Sequence, residues 1–181
     1  MTHVGGTQKY WYDANGNATQ RIGEDGASYE FAYDFENRVT ALKQNGFLLT
    51  TFKYDGDGNR VLETTMSVPT VYVGNTYEWT KNGATTNAKS YYYAGNARVA
   101  LRDSVSCGAT GVCFLLGDHL GSTALTTDSN GARQAELRYY PYGKTRYTSP
   151  ANTPTTFRFT GQRWQANTND LYFYQSRWYD P

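Results

Sequence analysis

The sequence predicts an all-β protein in which antiparallel β-hairpin repeats form a short spiral or solenoid-like sheet. The dipeptide Tyr-Asp recurs at a fixed step of 21 residues, at Tyr12-Asp13, Tyr33-Asp34 and Tyr54-Asp55. The chain also contains 17 Tyr, 8 Phe and 4 Trp, which suit pleated strands, and 18 Gly, which suit turns. A fixed period of this length indicates units that stack on their neighbours to bury a shared apolar face.

Each period is predicted to contain two strands and two turns. In the second period, residues 31–33 place two aromatic rings on one face, because side chains alternate along a strand. Residues 34–37 form the first turn, residues 38–44 the second strand, and Asn45-Gly46 favours a type I′ turn. The aromatic residues predicted to form an inter-strand ladder are Tyr10, Tyr12, Phe31, Tyr33, Phe52 and Tyr54, with turns fixed by Asp13, Asp34 and Asp55.

The strict period fades after Arg60-Val61, but strand-like segments continue. The segments predicted as strands are residues 71–73, 77–79, 91–94 and 97–102, with turns at Asn82-Gly83, Gly95-Asn96 and Asn130-Gly131. No linker or charge run separates independent domains. We therefore divide the chain into Tyr-Asp repeats at 1–65 and degenerate repeats with a further motif-rich region at 66–181, continuous with the first part.

Charge and hydropathy exclude several classes of function. With 17 Lys and Arg against 16 Asp and Glu, the net charge is +1 and no basic stripe is present. Nucleic acid is therefore not an expected partner. No run approaches the roughly 18 apolar residues of a membrane span. No signal peptide opens the chain, so an export signal is expected outside it.

The second half contains a set of short motifs, namely residues 115–123, 139–143, 157–162 and 170–181. Together with the repeats, they resemble the core-associated region of RHS/YD-repeat proteins, over nearly the whole chain. Asp118–Ser122 and Arg177–Pro181 are specific when they occur together. The residues of this region that carry the resemblance are Asp118, His119, Gly121, Tyr142, Gly143, Gly161, Tyr179 and Asp180.

The resemblance implies a function as well as a fold. Proteins of this family are usually very large, and their repeats form a long β-sheet that spirals into a hollow shell around a C-terminal toxin or effector; related shells occur in adhesion proteins. An aspartate-dependent self-cleavage segment often follows the core region. The resemblance implies that this segment and any toxin lie outside the chain, which ends at Asp180-Pro181 and would form only part of a shell.

Two motifs suggest chemistry, and each has a structural alternative. Asp118 and His119 near Ser122 suggest a Ser/His/Asp triad, but a triad is assembled by the fold and not by adjacency in sequence. The alternative is a tight connection between strands. Residues 55–59 resemble the start of a calcium loop, yet position twelve of such a loop would be Met66 and not Glu. These residues also coincide with a repeat turn, so we predict neither a catalytic nor a metal-binding residue, and no cofactor.

Cys107 and Cys113 are separated by five residues and flanked by two predicted strands. A disulfide bond across the base of this hairpin is geometrically reasonable and would favour an oxidising, extracellular setting. Two free thiols are the alternative. A zinc site is not expected from two Cys and a distant His.

Aromatic and arginine side chains are predicted to stabilise the sheet. Tyr residues at positions i and i+2 on neighbouring strands are predicted to form cross-strand contacts. The alternative is that exposed rings bind a glycan. The arginines predicted to stack on rings or pair with the repeat Asp are Arg38, Arg60, Arg98, Arg138, Arg158 and Arg177.

These observations favour a non-enzymatic structural β-scaffold, a wall segment of an RHS/YD-type shell, secreted or at the cell surface. One alternative is a self-assembling filament or sheath subunit, because open sheet edges template pairing with further copies. Another is an adhesin that binds a glycan or a cell-surface protein. The predicted partners are accordingly other copies of the chain, missing parts of a larger RHS chain, or a surface glycan or protein.

Overall fold

The computed structural model describes residues 2–149, 153–175 and 177–181. They form an all-β fold in which the strands of the main sheet follow one another in sequence order. A two-stranded hairpin comprises β1 (His3–Val4) and β2 (Thr7–Gln8). The main sheet begins with β3 (Tyr10–Tyr12), β4 (Ala18–Ile22), β5 (Ser28–Tyr33), β6 (Val39–Gln44), β7 (Phe47–Tyr54), β8 (Arg60–Thr65) and β9 (Val68–Val73).

The sheet continues without interruption into the second half of the chain. Its remaining strands are β10 (Tyr77–Asn82), β11 (Thr85–Ala94), β12 (Ala97–Asp103), β13 (Val112–Gly117), β14 (Thr123–Asp128), β15 (Arg133–Tyr139) and β16 (Thr145–Ser149). All 14 strands pair antiparallel with their sequence neighbours. Because β8 pairs with β9, the sheet crosses the boundary proposed at residue 65, and the division of the chain there stays a prediction.

A C-terminal segment lies against the inner face of the sheet, and we call residues 153–175 and 177–181 the strap. It contains a short 3₁₀ turn (Phe159–Gly161) and three strands, β17 (Arg163–Trp164), β18 (Tyr172–Tyr174) and β19 (Arg177–Tyr179). These strands form a small antiparallel sheet of their own. The segment therefore covers the main sheet and does not extend it.

The main sheet curls, so its distant turns meet. Glu24, after β4, forms an ion pair with Lys144, after β15. Eleven strand spacings of about 4.8 Å would hold these turns roughly 50 Å apart in a flat sheet. The hydroxyl of Tyr172 in the strap also donates to the carbonyl oxygen of Gly143 (3.2 Å). The curvature of the sheet therefore places turns from its two ends next to each other, and the strap contacts one of them.

Two buried clusters lie on the inner face, and each receives a ring from the strap. Phe157 packs with Tyr91 and Leu101 in the first cluster. Trp178 packs against the second, which includes Phe52 and Leu42. Burial of these rings removes apolar surface from water on both sides of the contact. The strap is thus part of the hydrophobic core.

The predicted aromatic ladder does not form as expected. Strands β5 and β7 are separated by β6, so rings from successive repeats are not cross-strand neighbours. Instead, Phe31 and Phe52 both contact Trp178, with centroids 6.5 and 5.3 Å away, and Tyr54 contacts Phe173 (6.4 Å). The repeats are connected through the strap.

The two edges of the main sheet differ. On the β3 side, the N–H groups of Lys9 and Tyr10 both donate to the carbonyl oxygen of Thr2 (2.8 and 3.2 Å). On the β16 side, no strand of the described residues pairs with the outer edge. The pairing of open edges with other copies stays a prediction.

Candidate functional site

A buried arginine joins the main sheet to the strap. Arg60 begins β8 and is only 6% exposed. Its guanidinium lies over the ring of Phe173 in the strap (4.4 Å) and over Tyr72 on the sheet (5.0 Å). Its Nη1 donates to Oε1 of Gln165 (2.9 Å), and Glu63 lies 3.5 Å away. The charged guanidinium of Arg60 therefore contacts aromatic rings and polar groups of two layers, the main sheet and the strap.

A second buried arginine lies beside the first. Arg163 of the strap forms an ion pair with Glu78 on β10, and each side chain is less than a tenth exposed. The Arg163 guanidinium also covers the rings of Phe157 (4.2 Å) and Tyr72 (4.4 Å). Burial alone would lower the pKa of Arg163, but the nearby Glu78 carboxylate raises it above its ordinary value. The guanidinium thus stays charged and paired in the interior.

A cavity of about 310 Å³ lies at this cluster and is lined by Arg60, Tyr72, Arg163 and Phe173. Both cations already have a polar partner and ring contacts. The pKa of Tyr72 is raised, chiefly by burial, so this hydroxyl stays protonated. Arg60, Arg163 and Tyr72 at the cavity therefore connect the main sheet to the strap.

A third arginine binds the end of the strap. Arg21 on β4 donates from Nη1 to the carbonyl oxygen of Thr168 (3.1 Å) and from Nη2 to that of Asn169 (2.8 Å). Its Nε lies 2.8 Å from Oδ2 of Asp180, which also accepts from the hydroxyl of Tyr10 (2.5 Å). Burial raises the pKa of Asp180, although Arg21 and Tyr10 oppose this. Burial and Asp180 together raise the pKa of Tyr10 to about 12.

The Tyr-Asp dipeptides each lead into a five-residue turn. In the first, the N–H of Asp13 donates to the carbonyl of Asn17 (2.9 Å), and the N–H of Gly16 donates to the carbonyl of Asp13 (3.1 Å). Oδ1 of Asp13 accepts from the N–H groups of Asn15 and Asn17. The same backbone pattern begins at Gly23, Asp34, Asp55, Asp118, Asp128, Tyr140 and Arg158. Its fourth residue has a positive φ, which Gly and Asn tolerate.

Tyrosine side chains connect successive repeats between directly paired strands of the main sheet. The hydroxyl of Tyr33 donates to the carbonyl of Ala18 (2.9 Å), and that of Tyr54 donates to the carbonyl of Val39 (2.7 Å). Tyr139 makes the same link further along the chain. Tyr33 and Tyr54 thus each donate a hydrogen bond to the previous hairpin, while the Asp of each dipeptide organises the turn.

We expect acid to destabilise the protein through the turn aspartates. The Asn17 and Asn59 amides, helped by backbone N–H donors, hold the pKa values of Asp13 and Asp55 below their ordinary value of 3.8. A carboxyl whose pKa is lower in the folded state contributes stability above its unfolded pKa, and this is lost as pH falls through the folded value. The urea concentration at the midpoint of unfolding should therefore decrease as the pH is lowered below about 4.

The matched variant changes both aspartates to Asn, which keeps an acceptor oxygen without the charge. Its urea midpoint should fall less between pH 6 and pH 3 than that of the parent chain. An identical fall in both proteins would show that other carboxyl groups dominate the acid response.

The structure does not assemble the Ser/His/Asp triad suggested by the sequence. Oδ1 of Asp118 accepts from the N–H groups of Leu120 and Ser122, each at 2.9 Å. The buried Oγ of Ser122 accepts from the N–H of Thr160 in the strap (3.0 Å). The exposed ring of His119 bonds to neither. Asp118 and Ser122 therefore organise a five-residue turn and its contact with the strap.

This arrangement predicts different effects for neighbouring substitutions. Asp118→Ala should lower the free energy of unfolding by about 1–2 kcal/mol, because two backbone donors lose their acceptor. His119→Ala should change it by no more than about 0.5 kcal/mol. Urea denaturation followed by tryptophan fluorescence measures both. Equal losses for the two variants would contradict the assignment of the turn to Asp118.

The calcium-like motif is also one of these turns. Oδ1 of Asp55 accepts from the N–H groups of Asp57 and Asn59 (3.0 and 2.8 Å). Within residues 2–149, 153–175 and 177–181, no three His, Cys, Asp or Glu side chains are grouped as metal ligands. The spacing of acidic residues in this motif therefore follows from the geometry of the turn.

Cys107 and Cys113 form a disulfide bond in the structure, with sulfur atoms 2.13 Å apart and Cα atoms 5.2 Å apart. Both residues are fully buried beside Leu101 and Phe157. The bond closes the connection between β12 and β13 over the first core cluster. The oxidising compartment inferred from it stays a prediction.

The remaining motif residues contact one another around the strap. Gly143 has φ +96°, and a Cβ there would overlap the ring of Phe159. The hydroxyl of Tyr179 donates to the carbonyl of Tyr142 (2.8 Å). Gly121 and Gly161 occupy the fourth position of their turns, and the oxygen of Gly121 lies 3.3 Å from the Cβ position of Gly161. The motif residues thus mark where the sheet meets the strap.

Sequence reasoning missed the residues that attach the strap. Arg21, Glu78 and Arg163 carry no local motif, and their partners lie far away along the chain. It also missed that residues 118–122 and residues 55–59 form turns of the same five-residue type. The available signal was a Gly or Asn three residues after the first turn residue, between two strand-like segments.

No protein-family model matches the chain. It is 27% identical over 180 residues to the tRNA3(Ser)-specific nuclease WapA of Bacillus spizizenii and over 193 residues to the tRNA nuclease WapA of Bacillus subtilis. Each match covers 94% of this chain but only 7% of the relative. Among solved structures, the chain superposes on the Photorhabdus luminescens Tc holotoxin pore with a TM-score of 0.74, and on TcdB2-TccC3 with 0.73.

Both structural matches have 22% sequence identity and cover 93% of this chain and 9% of the other. The chain has the same fold as the matched part of these structures. This agrees with the predicted all-β architecture of antiparallel hairpins. Within the described residues, no helix is long and apolar enough to cross a membrane.

The relatives overturn the functional prediction. The chain was expected to be a non-enzymatic structural scaffold, with a filament subunit and an adhesin as alternatives, whereas its curated relatives are named as tRNA nucleases. The repeats dominate this sequence, so its composition and period indicate the fold. They do not indicate the activity named for relatives that are about fourteen times longer than this chain.

Proposed function

We propose that this protein acts as an RNA-cleaving toxin of the kind that the WapA names describe, with tRNA as its substrate class. The observation that carries the proposal is the alignment of 94% of the chain with three proteins named as tRNA nucleases. The match to chains of Tc toxin structures supports the toxin part of the proposal. The chain spans about 7% of the curated relatives, so the activity is proposed for the whole protein.

We further propose that the chain belongs to the RHS/YD-repeat family, with Tyr-Asp repeats at 1–65 and the core-associated region at 66–181. The recurrent five-residue turn and the tyrosine hydroxyl links support this assignment, because they give the Tyr and the Asp of each repeat separate structural roles. A toxin that acts on other cells would be secreted or displayed at the cell surface, where the Cys107–Cys113 bond would persist.

The test is cleavage of tRNA by the purified full-length gene product. Total tRNA is incubated with the protein, and fragments are resolved on a denaturing gel and sequenced to locate the cut. We expect discrete cleavage of a subset of tRNAs. A folded, full-length product that leaves every tRNA intact would overturn the proposal.

The 181-residue chain is assayed in parallel, together with its His3→Ala and His119→Ala variants. These are the only histidines, the commonest general acid and base in RNA cleavage. Because His119 is exposed and bonded to no described residue, we expect its loss to leave folding and any cleavage unchanged. Cleavage by the chain that required His119 would place the active site within it.

A further inference from the structure

A second cavity, distinct from the one lined by Arg60 and Arg163, opens where the strap meets β12 and β13. It has a volume of about 490 Å³, which lies within the range of pockets that bind small ligands. Arg98 of β12 lines it from the sheet, Leu120 from the turn after β13, and Thr160 from the strap. The cavity is therefore formed jointly by the main sheet and the strap.

Arg98 is the cation of this cavity, and aromatic rings fix its orientation. Its guanidinium lies over the ring of Phe157, with Cζ 3.3 Å from the ring centroid, and over those of Tyr91 and Tyr93 (5.5 and 5.3 Å). Its Nε donates to the hydroxyl of Tyr93 (3.1 Å). Three rings and one hydrogen bond leave the side chain little freedom, so its remaining donors are preorganised for a ligand.

This half-buried cation has no anionic partner in the described part of the chain. Arg60 and Arg163 each face a glutamate, whereas Arg98 forms no ion pair with a described residue. The Nη1 and Nη2 atoms of Arg98 likewise have no acceptor among these residues, and neither is a buried unpaired atom, so both stay accessible. Burial lowers the pKa of Arg98, and the charge of Arg163 adds to this effect. An anion that enters the cavity would therefore stabilise the guanidinium.

The strap contributes a strained residue to the cavity. Thr160 has φ +49°, a value that β-branched residues rarely adopt. The surrounding structure holds it there, because its N–H donates to Oγ of Ser122 (3.0 Å) and its hydroxyl bonds to that of Tyr174 (2.5 Å). Backbone strain of this kind is concentrated at sites where proteins hold ligands. Thr160 therefore supports a binding role for the cavity independently of Arg98.

The walls of the cavity indicate the rest of the ligand. Val99, Leu115 and Leu120 line it with apolar side chains, and Asp118 lines it as well. Oδ1 of Asp118 accepts the N–H of Leu120 within its own turn. A guanidinium with two free nitrogen atoms binds a carboxylate through two parallel hydrogen bonds. The negative charge of Asp118 would repel a ligand that carries two negative charges, so one carboxylate is favoured over a phosphate ester.

We propose that this cavity binds a small monocarboxylate with an apolar body. Arg98 binds the carboxylate through Nη1 and Nη2, and the side chains of Val99, Leu115 and Leu120 contact the apolar body. A free acid and the C-terminal end of an apolar peptide present the same chemistry, and the experiment distinguishes them. The proposal goes beyond RNA cleavage and does not depend on it.

The experiment is isothermal titration of the 181-residue chain with hydrocinnamate and with hydrocinnamamide, its uncharged counterpart. We expect the acid to bind about tenfold more tightly, because only the acid forms charge-assisted hydrogen bonds with the guanidinium. Arg98→Gln should bind both compounds equally, and Arg98→Lys should keep only part of the preference, since an ammonium group does not bind a carboxylate bidentately. Arg102→Gln is the matched control, because Arg102 is an exposed arginine of the same strand that does not line the cavity. It should bind both compounds as the parent chain does.

A second pair of variants tests the site without disturbing the contact between Arg98 and Phe157. Leu120 is 50% exposed at the rim of the cavity, so its replacement leaves the core intact. At low salt, Leu120→Lys should tighten the binding of hydrocinnamate and Leu120→Glu should weaken it, because each adds a charge near the carboxylate. The affinity for the amide should stay unchanged in both variants.

Equal affinities of the parent chain for the acid and the amide would overturn the proposal, as would the failure of both to bind at millimolar concentration. Tighter binding of phenyl phosphate than of hydrocinnamate would overturn it in favour of a phosphate ester. Tighter binding of N-acetyl-leucyl-phenylalanine than of hydrocinnamate would support it and assign the carboxylate to the end of a peptide. Loss of tRNA cleavage in the full-length protein would leave these titrations unaffected, so the two proposals fail separately.

Discussion

Replacing Arg163 with Met is expected to lower the free energy of unfolding by about 3–5 kcal/mol, because the substitution leaves a buried carboxylate without its partner. Glu78 and Arg163 are each less than a tenth exposed, and the pair joins β10 to the strap. The variant also loses the guanidinium contacts with Phe157 and Tyr72. Urea denaturation followed by tryptophan fluorescence measures the loss.

Two companion variants identify the cause. Arg133→Met removes an arginine that also pairs with a glutamate, Glu136, but whose side chain is 59% exposed. Such surface pairs contribute little, so we expect a loss of no more than about 1 kcal/mol. The double variant Glu78→Leu with Arg163→Met removes both buried charges and should recover much of the stability lost in the single variant. Equal losses for Arg133→Met and Arg163→Met would refute the role assigned to the buried pair.

Local patterns predicted the strands well, because a strand and its turn are specified by nearby residues. Phe31 and Tyr33 alternate with smaller neighbours in β5, and Asn45-Gly46 follows β6 as expected. The turns at Asn82-Gly83 and Gly95-Asn96 also connect successive strands. The physical basis is short-ranged, since alternation and positive φ act within a few residues.

The strap could not be predicted in the same way. Several of its contacts join residues 85 or more positions apart, such as Arg163 with Glu78 and Tyr10 with Asp180. No periodicity encodes such pairs. The aromatic ladder was wrong for the same reason: the sequence shows that rings recur, but only the structure shows that β6 separates Phe31 from Phe52 and that Trp178 of the strap contacts both.

The candidate site shows a further limit of sequence reasoning. Asp118 and His119 suggested catalysis because of their residue types. Asp118 instead accepts backbone hydrogen bonds in a turn of the same type as the one that Asp13 begins. Conversely, the Arg177 side chain was predicted to stack on a ring or pair with a repeat Asp, and instead it is exposed and forms no ion pair with a described residue. Residue type limits the chemistry that a side chain can perform, and its surroundings decide whether it does so.

Trp178→Ala should lower the free energy of unfolding by about 3 kcal/mol, at the lower end of the range for such substitutions because the ring is only partly buried. The indole lies 5.3 Å from Phe52 on the sheet and 5.8 Å from Phe173 in the strap. Phe35→Ala, which removes a ring that is 94% exposed, should have almost no effect. Urea titrations monitored by far-ultraviolet circular dichroism compare the two.

The same variant tests whether the strap and the sheet unfold together. If the strap is part of the core, Trp178→Ala should move one cooperative transition to lower urea, because burial of the two clusters depends on both layers. If the strap merely rests on a stable sheet, the variant should release the strap to proteolysis while the main transition stays in place. The buried charges of Arg60 and Arg163 between the layers favour the first outcome, since undocking would expose apolar rings and separate Arg163 of the strap from Glu78 of the sheet in one step.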